Sequence, residues 1–327
     1  MKPEELRAAC LRGENISLLL RRELSPDKNT EEIIELAYDI QAGSYIDAMA
    51  DPRYAGVKVI FGKSLSDYLQ KYGEPKTVLE AGVGEATTLG SVLQSRELLE
   101  VSAHGFDLSW SRVHRGKKWL ADLGFDGVAL CTGSLFDIPY EDNSFDTVYT
   151  SHSIEPNGGY EIRIISELFR VASRYLLLIE PCYELASSEG KARIEKLGYC
   201  KDLRLHAETL GLKVVVHEPY PNLSNPLNPT AITVIEKNRH APTVRPTYQC
   251  PRFKKSLIND NAVFYGPETF AVYPILAGIP CLRKENAIIA GLYRDLILAK
   301  QTNGKGCDDV TLTASMADRV HPGSSSV

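Results

Sequence analysis

One stretch of the chain, residues 78–89, constrains the fold more than any other. It reads Val-Leu-Glu-Ala-Gly-Val-Gly-Glu-Ala-Thr-Thr-Leu, so an apolar run ends at Glu80, glycines follow at Gly82 and Gly84, and a helical pattern starts directly after them. Glycine permits a tight turn and close approach of the backbone to a ligand, and the start of a helix favours an anionic group. A further acid, Asp107, follows the next apolar run. The stretch therefore predicts a strand, a turn and a helix at a place suited to a nucleoside-bearing cofactor.

Segments typical of strands and helices alternate between residues 76 and 237. Short apolar runs of strand length cover residues 77–80, 103–107, 127–132, 145–150, 175–179, 213–217 and 231–235. Helical patterns lie between most of them, and residues 189–210 are interpreted as one helix. This pattern predicts an α/β fold with a seven-stranded, mostly parallel, doubly wound sheet covered on both faces. The Pro- and Asn-rich connection between the last two runs is compatible with a hairpin and an antiparallel edge strand.

The remaining parts of the chain differ from this central domain. Residues 1–75 are predicted to form an N-terminal helical cap, with helices over 32–40 and 63–72. Residues 237–255 contain six Lys or Arg, three prolines and no acid, which indicates a linker, placed at 238–249. A small β module is predicted at 250–300. The tail at 301–327 is expected to be mobile.

Composition and charge exclude several classes of protein. The 327 residues carry a formal net charge of −5, which argues against a surface that binds nucleic acid or anionic membrane everywhere. No run approaches the roughly 18 consecutive apolar residues of a membrane span, and the start lacks the profile of a signal peptide. Seven scattered cysteines are typical of reduced thiols. We therefore expect a cytoplasmic protein.

Four motifs carry a resemblance to a known family. The segment Gly-Ser-Leu-Phe-Asp-Ile-Pro-Tyr at 133–140, followed by Ser-Phe-Asp at 144–146, resembles class I S-adenosylmethionine methyltransferases of the ubiquinone-biosynthesis-like group. Glu80, Gly82 and Gly84 match that family's acid-x-Gly-x-Gly. The dinucleotide pattern fits less well, because its third glycine would stand at Thr87. The resemblance covers about residues 75–237 and implies S-adenosylmethionine as cofactor, with S-adenosylhomocysteine as product.

The resemblance places the cofactor at four strand ends, because ligands bind outside the carboxyl ends of parallel strands. Glu80 would help to hold the methionyl amine, and backbone N–H groups at the helix start would take the carboxylate. Asp107, followed by Leu108, would accept the ribose hydroxyls. The remaining predicted cofactor contacts are two adenine neighbours, a residue facing the methyl group and a lid residue: Ser134, Leu135, Ser151 and Tyr45. The family's adenine-binding acid is replaced by Ser134, which makes Asp137 a candidate substitute.

Two residues after the fourth strand are candidates for the base that a hydroxyl or amine acceptor needs. One is His152, since the usual pKa of histidine lies close to neutral pH and lets the ring accept a proton there. The other is Glu155, which follows three residues later. For both, a purely structural role remains an alternative. Tyr38 and Tyr45 could fold over the cofactor as a lid, as amino-terminal helices often do in this family, or could pack in a core.

The carboxyl-terminal module resembles a small zinc-ribbon-like family. The segment Tyr-Pro-Ile-Leu-Ala-Gly-Ile-Pro at 273–280 carries the resemblance, together with Cys250. Phe253 stands where a paired cysteine would be, and no second pair follows, so the predicted module has an apolar core and no metal. It could hold a homodimer together, cover the acceptor site or grip a large substrate.

Three functions remain open at this stage. The leading one is methyl transfer to a small-molecule acceptor, an oxygen of a sugar, glycan or related metabolite. It rests on the resemblance of the whole arrangement to methyltransferases of bacterial surface-glycan and nucleotide-sugar pathways. The basic linker keeps an RNA methyltransferase as the less favoured alternative. The missing adenine acid keeps a non-catalytic binding protein as the third.

Overall fold

A computed structural model describes residues 2–24, 26–95, 100–221, 225, 227–237 and 245–296. Residues 1–289 form one compact unit and residues 290–327 form a second, of which 290–296 are described. The predicted tail at 301–327 and the first part of the predicted linker, 238–244, lie outside the described residues. The predicted boundaries at residues 75, 237 and 249 all fall inside the first unit, so they remain a proposal about the roles of its parts.

The seven predicted strands form one sheet in the described part of the chain. They are β1 (Thr77–Ala81), β2 (Ser102–Asp107), β3 (Ala129–Thr132), β4 (Phe145–Ser151), β5 (Ala172–Pro181), β6 (Lys213–Pro219) and β7 (Thr230–Glu236). Their order is β3-β2-β1-β4-β5-β7-β6. The strands β1 to β5 pair in parallel, whereas β7 pairs antiparallel with both β5 and β6. The predicted hairpin is therefore present, and its second strand inserts between β5 and β6.

Helices cover both faces of this sheet. They are α5 (Pro52–Lys71), α6 (Thr87–Leu93), α7 (Trp110–Asp122), α8 (Glu161–Val171), α9 (Ser188–Leu197) and α10 (Leu203–Thr209). One buried cluster includes Phe61, Leu89 and Val113 from α5, α6 and α7. The other includes Ile164 and Leu203 from α8 and α10. This two-faced burial explains why the strands show continuous apolar runs.

The prediction of a single helix over residues 189–210 is wrong. The helix α9 ends at Gly198, which adopts a left-handed conformation with φ +69°, and α10 begins after Asp202. Glycine makes a left-handed residue at a helix end inexpensive, which is why the chain turns there. The predicted helix at 63–72 is the end of a longer one, because Asp51 caps the start of α5 and Pro52 occupies its first turn.

The N-terminal segment consists of α1 (Pro3–Leu11), α2 (Ile16–Leu24), α3 (Glu31–Ile40) and α4 (Ser44–Ala48). The first three helices share a buried cluster of Leu6, Ala9, Ile16, Leu20, Ile33 and Ala37. The side chain of Thr30 accepts a hydrogen bond from the Ile33 amide, 3.3 Å away, and so fixes the start of α3. None of the described helices combines the length and apolar character that a bilayer span requires.

The small sheet near the carboxyl terminus is a separate sheet that meets the β3 edge of the main sheet. Its strands are β8 (Ile258–Asn259), β9 (Val263–Tyr265), β10 (Ala271–Leu276), β11 (Ile279–Pro280) and β12 (Ile288–Ile289). The Leu282 amide donates to the Thr132 carbonyl over 3.1 Å. Cys250 is buried and lies 3.2 Å from the Tyr273 hydroxyl, measured from Sγ to the oxygen. The zinc-ribbon resemblance and a homodimer through this sheet remain predictions.

Candidate active site

The strand order reverses between β1 and β4, and a cavity of about 620 Å³ lies at the carboxyl ends of the strands there. Its walls combine the β1–α6 turn, the ends of β2 and β4, and residues of the N-terminal helices. Most of the predicted site residues line it: Tyr45, Glu80, Gly82, Gly84, Asp107, Leu108, Leu135, Ser151, His152 and Glu155. A crevice at a switch point is where open α/β sheets bind ligands, so the strand-end prediction located this cavity.

The glycine turn packs tightly against the loop that follows β4. Gly82 has φ +77°, and a Cβ added to it would lie 2.1 Å from the Ser153 Cβ. The amides of Gly82 and Val83 donate to the Phe106 carbonyl over 2.9 and 2.8 Å. The Gly84 amide donates to Asp107 Oδ2 over 3.0 Å. These three amides thus already have acceptors, and they hold the turn against the end of β2.

Asp107 is oriented by backbone donors on both of its oxygens. Oδ1 accepts from the Ser109 amide over 2.9 Å, and Oδ2 accepts from Gly84. A carboxylate oxygen can accept more than one hydrogen bond, so each oxygen can still accept from a ligand. The carboxylate lines the cavity beside Leu108, which provides an apolar neighbour. This geometry fits two vicinal ribose hydroxyls.

Glu80 is buried at the base of the cavity, 2% exposed. The Tyr149 hydroxyl donates to its Oε2 over 3.0 Å. Burial raises the pKa of Glu80 to about 8, because the charged carboxylate loses its hydration there. Lys58 of α5 also lines the cavity and bonds to the Thr88 hydroxyl at 3.0 Å, and burial lowers its pKa. Sequence reasoning missed Lys58, since nothing local distinguishes it from a surface lysine.

Arg112 is the second cavity residue that sequence reasoning missed. Its guanidinium lies 5.0 and 4.8 Å from the ring centroids of Tyr38 and Tyr45, and its Nε is 3.8 Å from Glu85 Oε1. A Cβ on Gly84 would approach the Arg112 Nη2 to 2.7 Å. The predicted lid tyrosines are therefore connected through Arg112 to the glycine turn. Glu85 strengthens this connection, since it accepts the backbone amides of residues 43 and 46 over 2.9 Å.

His152 and Glu155 form a hydrogen-bonded pair at the end of β4. His152 Nδ1 lies 2.7 Å from Glu155 Oε2, and its Nε2 lies 3.2 Å from the Thr230 hydroxyl. Burial lowers the pKa of His152, but the hydrogen bond and negative charge of Glu155 and the charge of Glu180 outweigh it, so the net shift is upward. Asn228 donates to Glu155 Oε1 over 3.1 Å. The two candidate bases thus act as one pair.

Glu180 holds the loop that carries this pair. Its Oε1 accepts the amides of Ser153 and Ile154 over 3.0 and 3.2 Å, and its Oε2 accepts the Glu155 amide over 3.1 Å. Burial raises the pKa of Glu180 to about 7. His152 itself adopts a left-handed backbone conformation with φ +55°, which costs energy for a residue other than glycine. The three amide contacts keep the loop in this conformation.

Ser134 is placed differently from the prediction that it contacts adenine. It is 1% exposed and does not line the cavity. Its hydroxyl donates to Glu31 Oε1 and accepts the Phe136 amide over 2.9 Å. Asp137, the candidate substitute acid, pairs with Lys284 at 2.9 Å and Arg163 at 3.3 Å. Leu135 lines the cavity as expected.

One cluster of potential metal ligands lies in the described residues outside the cavity wall. Cys182, Glu184 and His217 have ligand atoms within 4.8 Å of one another. The Cys182 thiol donates to Glu184 over 3.2 Å, and His217 Nδ1 pairs with the Thr233 hydroxyl at 2.9 Å. Since each side chain has a protein partner, the cluster satisfies its own polar atoms, and the expectation of no metal remains a prediction.

Comparison with known proteins identifies the domain around this cavity. Residues 73–199 match a family model described as a methyltransferase domain. These residues carry a methyltransferase domain. The protein is thus a methyltransferase, and S-adenosylmethionine is its cofactor. The strand-end groups described above, Asp107, Glu80 and the glycine turn, are of the kind that this cofactor requires.

Solved structures share the fold at low sequence identity. The [4+2]-cyclase SpnF is 16% identical, with 65% of this chain and 97% of that chain covered and a TM-score of 0.50. Magnesium protoporphyrin IX methyltransferase from Synechocystis PCC 6803 is 14% identical, with 64% and 100% covered and a TM-score of 0.48. A methyltransferase from Aquifex aeolicus is 18% identical, with 59% and 97% covered and a TM-score of 0.43. At such identities the similarity concerns the fold alone.

Proposed function

We propose that this methyltransferase modifies a hydroxyl group of a small polar acceptor, a sugar or related metabolite, with His152 as base. The observation that carries the proposal is the His152–Glu155 pair, whose ring nitrogen and carboxylate oxygen are 2.7 Å apart in the cavity wall. A carboxylate on one ring nitrogen fixes the tautomer and leaves the other nitrogen as the proton acceptor. A hydroxyl, unlike a thiolate or a neutral amine, needs such a base at neutral pH.

The cofactor supplies an electrophilic methyl group on a sulfonium that serves as its own leaving group. An acceptor hydroxyl would replace the Thr230 hydroxyl as the partner of His152 Nε2 and would give up its proton to that nitrogen. Glu155 stabilises the imidazolium that forms. When the cofactor is bound, Asp107 would hold the ribose, Glu80 the methionyl amine and Lys58 the methionyl carboxylate. Tyr38 and Tyr45 restrict the entry of water.

The size and lining of the cavity support a small acceptor. Its volume of about 620 Å³ falls within the range of about 300–1,000 Å³ that is usual for small-molecule sites. Its wall offers polar groups, among them Asn15, Asn29 and Gln41 of the N-terminal segment and Tyr199 after α9. Asn29 is 3% exposed, and its Oδ1 has no hydrogen-bond partner among the described residues. A buried acceptor of this kind is suited to a ligand hydroxyl.

The RNA alternative receives less support from the basic segment that suggested it. Lys254 pairs with Glu167 at 3.0 Å, and Lys255 pairs with Glu268 at 3.3 Å. A cation that already has an acidic partner contributes less to a phosphate-binding surface, since binding depends on unneutralised positive charge. Lys254 and Lys255 therefore give little support to RNA as the acceptor.

The test is formation of S-adenosylhomocysteine with three acceptor pools: nucleotide-linked sugars, free sugars and transfer RNA. We expect turnover with a sugar and a product heavier by one methyl group, and no turnover with the matching deoxy sugar. His152→Gln should lower kcat at least about a hundredfold with cofactor affinity retained, since general bases contribute about 10²–10⁴-fold. His114→Gln, at an exposed histidine, is the matched control. Turnover with RNA alone, or an unchanged kcat in His152→Gln, contradicts the proposal.

A further inference from the structure

The adenine end of the cofactor site lacks the acid that the family resemblance leads one to expect in the loop after β3. Ser134 stands at that position; it does not line the cavity, and its hydroxyl donates to Glu31 of α3. Adenine carries a 6-amino group, which needs an acceptor when it is buried. Another carboxylate or carbonyl must therefore accept the hydrogen bond from this amino group.

Two nearby acids are already neutralised. Asp137 is bound by Lys284 and Arg163, and Glu35 is bound by Arg283. Glu31 differs from both, because it lines the cavity and forms no salt bridge within the described residues. Its Oε1 accepts the Ser134 hydroxyl, while its Oε2 has no hydrogen bond to a described residue. One oxygen is thus fixed by serine and the other can accept a proton donor from a ligand.

The cavity that Glu31 lines also offers apolar side chains for a purine ring. Ile34, Leu108 and Leu135 line the same cavity and offer apolar side chains to a ring. Burial raises the pKa of Glu31, and the hydrogen bond from Ser134 only partly offsets this effect. A half-buried carboxylate in this state gains from a donor such as an exocyclic amine.

We propose that Glu31 reads the 6-amino group of the cofactor's adenine, with Ser134 as its positioning residue. A carboxylate from the N-terminal helix α3 then binds the adenine amino group, in place of the acid that the family resemblance leads one to expect in the loop after β3. The proposal rests on the cofactor and not on the acceptor. It also explains why Ser134 stands where an acid is expected, because an acid there would repel Glu31.

The experiment compares S-adenosylhomocysteine with S-inosylhomocysteine, which has a 6-oxo group in place of the amine, by calorimetry without any acceptor. Wild-type protein should bind the adenosyl ligand about tenfold to hundredfold more tightly, as expected for one hydrogen bond to a charged group. Glu31→Gln should weaken adenosyl binding and improve inosyl binding relative to it, because a glutamine amide can donate to the 6-oxo group. Glu32→Gln, at the exposed neighbouring residue, is the matched control.

A purely structural role of Glu31 in α3 predicts that both ligands weaken equally, so an unchanged adenosyl-to-inosyl ratio in Glu31→Gln overturns the proposal. Equal affinity of the wild type for the two ligands overturns it without any variant. Ser134→Ala should reduce the ratio by a smaller factor, since Glu31 stays in place but loses its orienting donor. Because no acceptor is present, the result is independent of whether a sugar hydroxyl is the methylated group.

Discussion

A methyl group added at Gly82 tests whether the glycine turn is set by close packing. Gly82 has φ +77° and its added Cβ would lie 2.1 Å from the Ser153 Cβ. Ser153 cannot move aside easily, because its hydroxyl donates to the Ala81 carbonyl over 2.7 Å and its amide donates to Glu180 over 3.0 Å. Gly82→Ala therefore combines backbone strain with a collision. Gly124 has φ +85° with nothing within 4 Å, so Gly124→Ala introduces the strain alone.

Comparison of the two variants separates the loss of unfolding free energy into a part from backbone strain and a part from the collision. A left-handed backbone costs an L residue about 1–2 kcal/mol, and overpacking a closed site costs about 1–3 kcal/mol more. We expect Gly124→Ala to lose about 1–2 kcal/mol of unfolding free energy and Gly82→Ala about 2–5 kcal/mol. Gly82→Ala should also weaken S-adenosylhomocysteine binding, since the glycine turn itself lines the cavity beside Glu80. Gly124→Ala should bind normally.

Urea unfolding measures the free energy of unfolding, and calorimetry measures S-adenosylhomocysteine affinity, on the same preparations. The double variant Gly82→Ala, Ser153→Gly removes the colliding atom, so its loss should be smaller than the sum of the single losses by about 1–3 kcal/mol. If Gly82→Ala and Gly124→Ala lose the same stability and bind the ligand equally well, the argument from close packing is refuted.

Three further predictions concern ionisable groups of the site. Asp107→Ala should weaken S-adenosylhomocysteine binding beyond detection by calorimetry, while Asp126→Ala, at an exposed acid, leaves it unchanged. Burial raises the pKa of Glu80 to about 8, so the protonated side chain stabilises the fold fully below about pH 4.5, and this stabilisation is lost as pH rises through 8. Urea unfolding across this range should show that the free energy of unfolding depends less on pH in Glu80→Gln than in the wild type. Turnover should rise with pH as His152 loses its proton, with a midpoint above about 6.5. Glu155→Gln should move that midpoint down, and an unmoved midpoint would mean that another group titrates.

The sheet could be predicted from the sequence because most of its strands are buried on both faces. Buried parallel strands appear as short apolar runs, and each of the seven runs became a strand. The break in the helix predicted over residues 189–210 was missed, although Gly198 is a local signal for a helix end, because an isolated glycine is also tolerated inside a helix. The position of β7 between β5 and β6 could not be predicted, because strand order depends on tertiary packing and not on any local pattern.

The same difference between local patterns and tertiary packing explains which cavity-lining residues could be predicted from the sequence. Asp107 and His152 follow strands, and parallel strands bring their carboxyl ends to one edge of the sheet, so sequence position alone placed them together. Glu31 is separated from Ser134 by 103 residues, and Lys58 and Arg112 reach the cavity from helices whose packing no local pattern reports. The serine at position 134 was nevertheless a signal, because a missing acid at a cofactor site implies that another element supplies it. Substitutions within a known motif therefore indicate where a distant segment of the chain completes the site.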